Sequence, residues 1–546
     1  MLSLCWLAAP PVIAVSPPAA AIASAHPFAT RAGMEVLQDG GNAFDAAITV
    51  SAVLAVVEPY SSGLGGGGFW LLHRAADTKQ VMIDGRERAP LAAHRDLYLD
   101  ERGDVIPRLS LDGPLAAGVP GEPAALAYLA KHYGRLPLSR TLAPAIHYAK
   151  HGFPVERRYR DRVRSRLKVL QRFSASAATF LFRGGIPPDG HMIRQPELAL
   201  VLEKLAVHGR DGFYHGEIAH KLVEQVRNAG GIWTLKDLAD YRVVEREPVR
   251  GMYRGIRVIA AAPPSSGGIG LVTMLNILHG YAMERLDPAT RTHLIIEAMR
   301  RAYRDRAQYL GDPDFVSLPL QRLIHPWYGA GLRASIRMDR ATPSARLPSL
   351  QNKSEGADTT HFSILDQEGN RVAATLSINY GFGSGFSAAG VLLNDEMDDF
   401  SVKPGMPNVY GLVGAEANAI APGKRPLSSM TPTFLESERG VAILGTPGGS
   451  RIISMVLLGV LDFAAGNDPE SWVAMPRFHH QFLPDEVQYE KAAFDAGMNA
   501  RLIKLGHNLQ PLQGSYGNMQ AVFWDTRAKR VLAASDPRGI GLALVR

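Results

Sequence analysis

The sequence predicts an α+β protein, and three observations carry that prediction. Helix-period apolar patterns occupy residues 28–57 and most of 120–310. The texture then changes to two β-like runs, 359–365 and 371–379, separated by the turn sequence Asp366-Gln367-Glu368-Gly369-Asn370. Earlier, a glycine-rich run at 63–68 leaves a helical pattern and leads straight into the strand-like Phe69-Trp70-Leu71-Leu72-His73. A chain of 546 residues can bury a large core, and its 54 Gly and 37 Pro are scattered, as turns are.

Residues 1–14 are apolar and end in Val12-Ile13-Ala14, which resembles a small-residue cleavage site, although no Lys or Arg precedes Arg31. Residues 1–20 are therefore expected to be a signal segment and the protein to be periplasmic or secreted, or cytoplasmic if that segment is not a signal. No uninterrupted apolar stretch reaches the roughly 18 residues needed to cross a bilayer, so 46–57 reads as a buried core helix and no stable membrane span is expected. A first helix over 28–38 should stop at Gly40-Gly41. Asn42 should cap a second over 43–57, which Pro59 ends. Within 293–310, Leu294, Ile295, Ala298, Met299 and Ala302 form one apolar stripe, with Arg300, Arg301, Arg304 and Asp305 off it. Residues 338–357 read as an exposed loop leading to Asp358-Thr359.

A regular hairpin centred on Glu368 pairs Leu365 with Arg371, Ser363 with Ala373, His361 with Thr375 and Thr359 with Ser377. That register sets two hydroxyls opposite each other at the open end, with Asn379 next on the same face.

Composition excludes several functions. Fifty-nine basic and 52 acidic residues give a net charge of +7, with no basic run of the kind that marks a nucleic-acid partner. One cysteine, Cys5, permits no intramolecular disulfide and no cysteine metal site. The run at 63–68 satisfies G-x-G-x-x-G, with Asp84 at the spacing of a ribose-binding acid. It follows a helix and opens a strand, however, the reverse of a dinucleotide site. There is no P-loop, nucleophile elbow or H-E-x-x-H. His479-His480 is the one adjacent pair, and on a strand its rings point to opposite faces, as structural residues do. What remains is a group of motifs in the last third: Asp358-Thr359-Thr360-His361, the acidic turn Asn394-Asp395-Glu396-Met397-Asp398-Asp399, Arg425-Pro426-Leu427-Ser428-Ser429-Met430 and Pro447-Gly448-Gly449-Ser450-Arg451. Each alone has a bland reading as a solvated turn or bend.

Together with Gly40-Gly41-Asn42-Ala43, Asp84-Gly85-Arg86-Glu87-Arg88-Ala89-Pro90, Pro263-Pro264-Ser265-Ser266-Gly267-Gly268 and Ser535-Asp536-Pro537-Arg538, these motifs resemble the gamma-glutamyltranspeptidase (glutathione hydrolase) family over nearly the whole chain. The resemblance implies a four-layer αββα sandwich of the N-terminal-nucleophile type, made as a proenzyme. Its large subunit would be 21–358 and its small subunit 359–546, associated after self-cleavage. It implies that Thr359 is the nucleophile, hydrogen-bonded by Ser377, with Gly448 and Gly449 as the oxyanion hole. Arg86, aided by Ser428 and Ser429, would grip the glutamate α-carboxylate, and Asn379, Glu396 and Asp399 the α-amino group. Residues 401–414, with Tyr410, resemble the family's lid loop. Glutathione and other γ-glutamyl compounds would be donors and amino acids or dipeptides acceptors, with no metal and no organic cofactor.

Physical chemistry suits that arrangement. A threonine hydroxyl needs a base. A free α-amine, with a pKa of about 7.7–8.0, supplies one only after cleavage. The nearest alternative is an acylase on the same scaffold, acting on glutaryl-cephalosporins or poly-γ-glutamate, and Asp399 speaks for a substrate with an α-amine. An uncleaved binding protein and a nucleotide-binding protein are the more distant alternatives.

Overall fold

The structure, a computed structural model, describes residues 16–347 and 359–546 apart from 407, 410 and 413. Most of the expected signal segment, Asp358 on one side of the expected cut, and Tyr410 therefore lie outside the described residues.

Two β-sheets face each other, each covered by helices. The first has seven strands in the order Leu542–Val545, Ala21–Ser24, Thr360–Leu365, Arg371–Ser377, Gly67–Arg74, Lys79–Gly85, Val244–Arg246. The second has six, in the order Arg530–Ser535, Gln520–Asp525, Gly440–Gly445, Thr433–Ser437, Ile256–Ala260, Val249–Tyr253. Strand alternation divides the first sheet's side chains between two cores. Ile22, Trp70, Leu72, Ile83, Ile364 and Val372 pack under the helices Pro27–Gln38 and Ala43–Val57. Ala23, Phe69, Leu71, Met82 and Leu365 meet Ile259, Phe434, Ile443 and Val522 of the second sheet. The helices Gly267–Leu278, Pro288–Tyr309 and Ile452–Ala464 share that second core. The result is the four-layer αββα sandwich.

Local signals fix the elements closest to the site. Asn42 caps Ala43–Val57 through Phe44 N–H and Asp45 N–H, Asp45 returns a bond to Asn42 N–H, and every residue of the helix is buried. The glycine run ends in the strand Gly67–Arg74. A Cβ on Gly66 would lie 2.1 Å from the Ser377 carbonyl oxygen, so a side chain there would push away the end of the Arg371–Ser377 strand. Asp84 is buried against Arg246 (3.0 Å) and Arg425 (3.5 Å), an internal ion-pair role far from ribose recognition. His479 bonds Ser454 and Gln481, while His480 bonds Asp485.

The hairpin adopts the expected register: Leu365 opposite Arg371, Ser363 opposite Ala373, His361 opposite Thr375. The stretch 120–310 is mostly helical, as expected, with Val244–Arg246, Val249–Tyr253 and Ile256–Ala260 supplying strands to the two sheets. Their alternation is short and interrupted by Arg and Gly, so it is weak in the sequence. Arg300, Arg301 and Asp305, although off the apolar stripe, are buried. Glu297 holds both arginines, and Arg301 also reaches Ser335 and Thr342, so the segment 335–342 covers them. The acidic turn is buried too. Among the described residues no helix is long and apolar enough to cross a membrane.

Candidate active site

Thr359 sits one residue before the strand Thr360–Leu365, and continuing the hairpin register by one step sets it opposite Ser377. It is 7% exposed. Its Oγ1 accepts the Gly448 N–H at 2.9 Å. Gly448 has φ 145° and Gly449 φ 54°, backbone that suits glycine; it turns the Gly448 amide onto the strand end and sets Gly449 at the cavity wall. The turn Gly449–Arg451 runs directly into the helix Ile452–Ala464, so these N–H groups stand at the positive end of a helix. Tyr303 fastens that turn by donating to the Ser450 carbonyl. The Thr360 hydroxyl points the other way and donates to Glu58 at 2.8 Å, as alternation on a strand requires.

Ser377 Oγ accepts the Asn379 N–H at 2.7 Å, because Asn379, with φ 70°, turns its own N–H back onto that hydroxyl. The bond fixes Ser377 Oγ and leaves its O–H as a donor, while Thr359 Oγ1 accepts from Gly448. Asn379 Nδ2 then donates to the Asp395 carbonyl at 2.9 Å.

A narrow cavity of about 20 Å³ lies beside Thr359. Arg86, Ser377, Asn379, Glu396, Asp399, Ser428, Ser429 and Gly449 line it, with Leu412 and Met430. Residues far apart in sequence thus meet around one small space. Arg86 follows the strand Lys79–Gly85, is fully buried, and ion-pairs with Glu396 and with Asp399. Its Nε also donates to the Pro426 carbonyl at 3.2 Å. Glu396 and Asp399 bracket one turn, Glu396–Asp399, which points both carboxyl groups to the same side. The expected lid loop is pinned to this turn. Asn408 Nδ2 donates to Asp399 at 3.2 Å and Val409 N–H to Asp398 at 2.9 Å. Ser428 is stapled to the Pro264–Ser266 corner through Ser428 N–H to Pro264 O and Ser266 N–H to Ser428 O. The Ser429 hydroxyl is buried with no protein partner among the described residues, which leaves it available to a ligand.

The cavity carries more acid than base. One guanidinium faces Glu396 and Asp399, and Glu87 lies 3.6 Å from it with both carboxyl oxygens unpartnered among the described residues. Burial pushes Glu396 up to about 7 against the pull of Arg86. Burial also raises Asp399, again opposed by Arg86, and raises Glu87 far above the carboxylate range, with Glu396 adding to the effect. Buried acids in excess hold protons until a cation arrives.

Sequence reasoning missed four residues. Glu87 adds to the acid surplus. Asn394 ties the acidic turn to the glycine run, through its Nδ2 to Gly65 O and its Oδ1 from the Glu396 N–H. Asn418 donates to the Asp399 carbonyl at 2.7 Å and accepts the Leu427 N–H at 3.0 Å. Arg306 reaches Ser266 at 3.0 Å. The asparagines follow no periodicity and stay invisible until the chain is folded. Arg306 shares its helix with Arg300 and Arg301, which also prove to be buried.

Thr359 also borders a wider cleft on its other side, where Glu156, Arg158, Tyr380, Pro447, Gly448, Arg451 and Tyr516 stand. A nucleophile between a small charged pocket and an open cleft can divide a substrate into a held acyl part and a variable leaving part.

Comparison with known proteins agrees with this layout. The model of the gamma-glutamyltranspeptidase family matches residues 29–545. A glutathione hydrolase proenzyme of Pseudomonas sp. (strain A14) is 44% identical over 479 residues, 86% of this chain and 83% of that protein. Its counterpart in Escherichia coli (strain K12) is 40% identical over 527 residues, 95% and 90% of the two chains. Among solved structures, a cephalosporin acylase from Bacillus halodurans superposes with a TM-score of 0.84 at 28% identity, covering 99% of this chain and 98% of its own. With one family model spanning almost its full length and relatives this similar, the chain belongs to the gamma-glutamyltranspeptidase family.

Proposed function

We propose that the protein is a self-processing γ-glutamyltransferase and glutathione hydrolase. One observation carries the reading: beside Thr359, a buried guanidinium stands among carboxyl groups that outnumber it. A glutamyl donor brings a carboxylate and an ammonium on one carbon. Its carboxylate would take Arg86, with Ser428 and Ser429, and its ammonium would take Glu396, Asp399 and Asn379. The ligand thus replaces an internal ion pair by two external ones and supplies the missing positive charge. A guanidinium fork holds a carboxylate in a fixed plane, which aims the γ-carbonyl at Thr359.

The chemistry then follows in two stages. In the uncut chain, Thr359 Oγ1 attacks the carbonyl of residue 358, the peptide C–N bond breaks and the freed α-amine takes the Oγ1 proton, and water then opens the resulting ester to release the Oγ1 hydroxyl and leave a carboxylate on residue 358. In the mature enzyme that amine takes the Oγ1 proton as Oγ1 attacks the γ-carbonyl. Gly448 and Gly449 N–H groups meet the oxygen that gains charge. The leaving amine takes the proton, and water or another amine then cleaves the γ-glutamyl ester. The two chains would stay together, because both sheets combine strands from the two sides of the cut: in the first, Ala21–Ser24 lies between Leu542–Val545 and Thr360–Leu365, and in the second, Ile256–Ala260 pairs with Thr433–Ser437. Donors would be glutathione and related γ-glutamyl compounds, acceptors amino acids or dipeptides. Export to the periplasm or beyond is proposed on the apolar start of the chain alone.

A substrate panel tests the reading. Release of glutamate from glutathione, with glutaryl-7-aminocephalosporanic acid cleaved at a far lower rate, is the expected result. The reverse preference would make the protein an acylase.

Two further outcomes are expected here. Gly448→Ala should lower kcat by roughly a hundredfold or more, since one oxyanion donor is worth on that order and a side chain is strained at φ 145°. Steady-state rates on the processed variant check this, and an unchanged kcat would take Gly448 out of the oxyanion hole. The second concerns pH. With Glu396 pushed up to about 7, falling pH through that value neutralises the group that receives the ammonium. kcat/KM for a γ-glutamyl substrate should therefore fall below about pH 7, as a property of the coupled Glu396–Asp399 pair. Glu396→Gln should erase this limb and leave the one set by the Thr359 amine. Identical profiles would exclude the assignment.

A further inference from the structure

The cleft on the open side of Thr359 contains one arginine whose charge no carboxylate answers. Arg451 ends the turn that carries Gly449, two residues from it. Its Nε–H and Nη2–H both donate to Gln488 Oε1, at 3.0 and 2.6 Å, and Gln488 is itself steadied by a bond to Glu486 at 3.0 Å. The guanidinium lies 5.0 Å over the ring of Tyr516. A neutral amide and an aromatic face fix its plane without neutralising it. Among the described residues no acid comes within 4.0 Å of it, and its Nη1 faces the cleft without a protein bond. Arg538, which borders the same cleft, is instead forked onto Glu490 at 2.7 Å and held by Asp536 at 3.1 Å. The acids of the cleft, Glu156 and Asp161, belong to the helix Arg157–Arg172 and the residue before it, a different element from the one that carries Arg451.

We propose that Arg451 binds the free C-terminal carboxylate of the peptide on the far side of the scissile bond. That peptide is the departing one when a donor is cleaved and the acceptor when the group is transferred. The inference rests on the transferase reading above. Anchored at its carboxylate, a dipeptide would extend its α-amine back toward the ester on Thr359. The amine nitrogen attacks the ester carbonyl, the bond from that carbon to Oγ1 breaks, and the amine proton passes by way of the Thr359 α-amine to Oγ1. Gln488 is a positioning residue, since it holds the guanidinium and touches no substrate. The site would take small peptides with a free carboxylate and disfavour their amides.

The experiment compares glycylglycine with glycylglycinamide as acceptors from γ-glutamyl-p-nitroanilide, whose leaving group has no carboxylate. The wild-type enzyme should prefer the acid by about tenfold or more in kcat/KM, as expected of a charge-assisted pair. Arg451→Gln should bring that preference to within about twofold by raising KM for the acid, and Arg451→Lys should restore part of it. Gln488→Leu should weaken the preference through KM with kcat at saturating acceptor retained. It also decides the matter if Arg451→Gln fails to mature. Equal losses for acid and amide, or a wild-type enzyme blind to the difference, would overturn the assignment of Arg451. A wild-type protein inert toward the anilide would overturn the γ-glutamyl reading itself.

Discussion

Thr359→Ala is expected to give one uncut chain, where the wild-type protein gives two that meet at 358/359, the smaller of 188 residues. The substitution removes the atom that both reactions require. Oγ1 is buried and already hydrogen-bonded to Gly448 at 2.9 Å, so the strand end presents this hydroxyl, and not that of Thr360, to the oxyanion amides. Losing it leaves the Gly448 N–H unpaired, at a cost of about 1–3 kcal/mol, which a sandwich with two large cores tolerates. Activity should fall by roughly 10⁵-fold or more, the order seen when a nucleophile is removed. Thr359→Ser keeps the hydroxyl and should mature more slowly. Intact mass spectrometry reads the cut, and γ-glutamyl-p-nitroanilide hydrolysis reads the rate. Two chains in the alanine variant would mean that another group performs the cleavage. A single chain in both proteins, even after long incubation, would favour a binding protein on this fold.

Asp399→Ala has the second largest expected effect, and it separates substrates. The carboxylate sits beside Arg86 and Glu396, its backbone carbonyl held by Asn418 and its other oxygen by Asn408. Removing one partner of a buried charge pair costs about 2–5 kcal/mol, so kcat/KM for glutathione should fall roughly a hundredfold or more. A glutaryl substrate lacks the ammonium, has nothing to lose at this position, and should be little affected. The ratio of the two rates is the readout, because general damage to the fold would lower both. Arg86 keeps Glu396 in the variant, so the pocket retains its cation. Equal losses on both substrates would show that Asp399 supports the site without receiving the ammonium.

The frame of the site was legible because its parts announce themselves locally. The turn at 366–370 fixes the hairpin register, which sets position 359 opposite Ser377. Asn42 and Asp45 state where a helix begins. The resemblance to the family, not any local signal, grouped Arg86, Asn379, Glu396, Asp399, Ser428 and Ser429, and the folded chain gathers them around one cavity.

What the linear chain left open were the partners. Nothing in the spacing of Arg86 and Asp399 says that they form an ion pair across 313 positions. The bland reading of the acidic turn as solvated was reasonable until Asn394 and Asn418 pulled it inside. That the left-handed Asn379 would turn its own N–H onto the Ser377 hydroxyl was not legible either. Sequence thus determined the elements and the register, since caps, turns and alternation act over a few residues, and the family resemblance supplied the identity of the reactive groups. Only the tertiary structure decided protonation, pairing and which hydroxyl faces which amide. Those depend on burial, and burial is a property of the whole sandwich that no short stretch of chain contains.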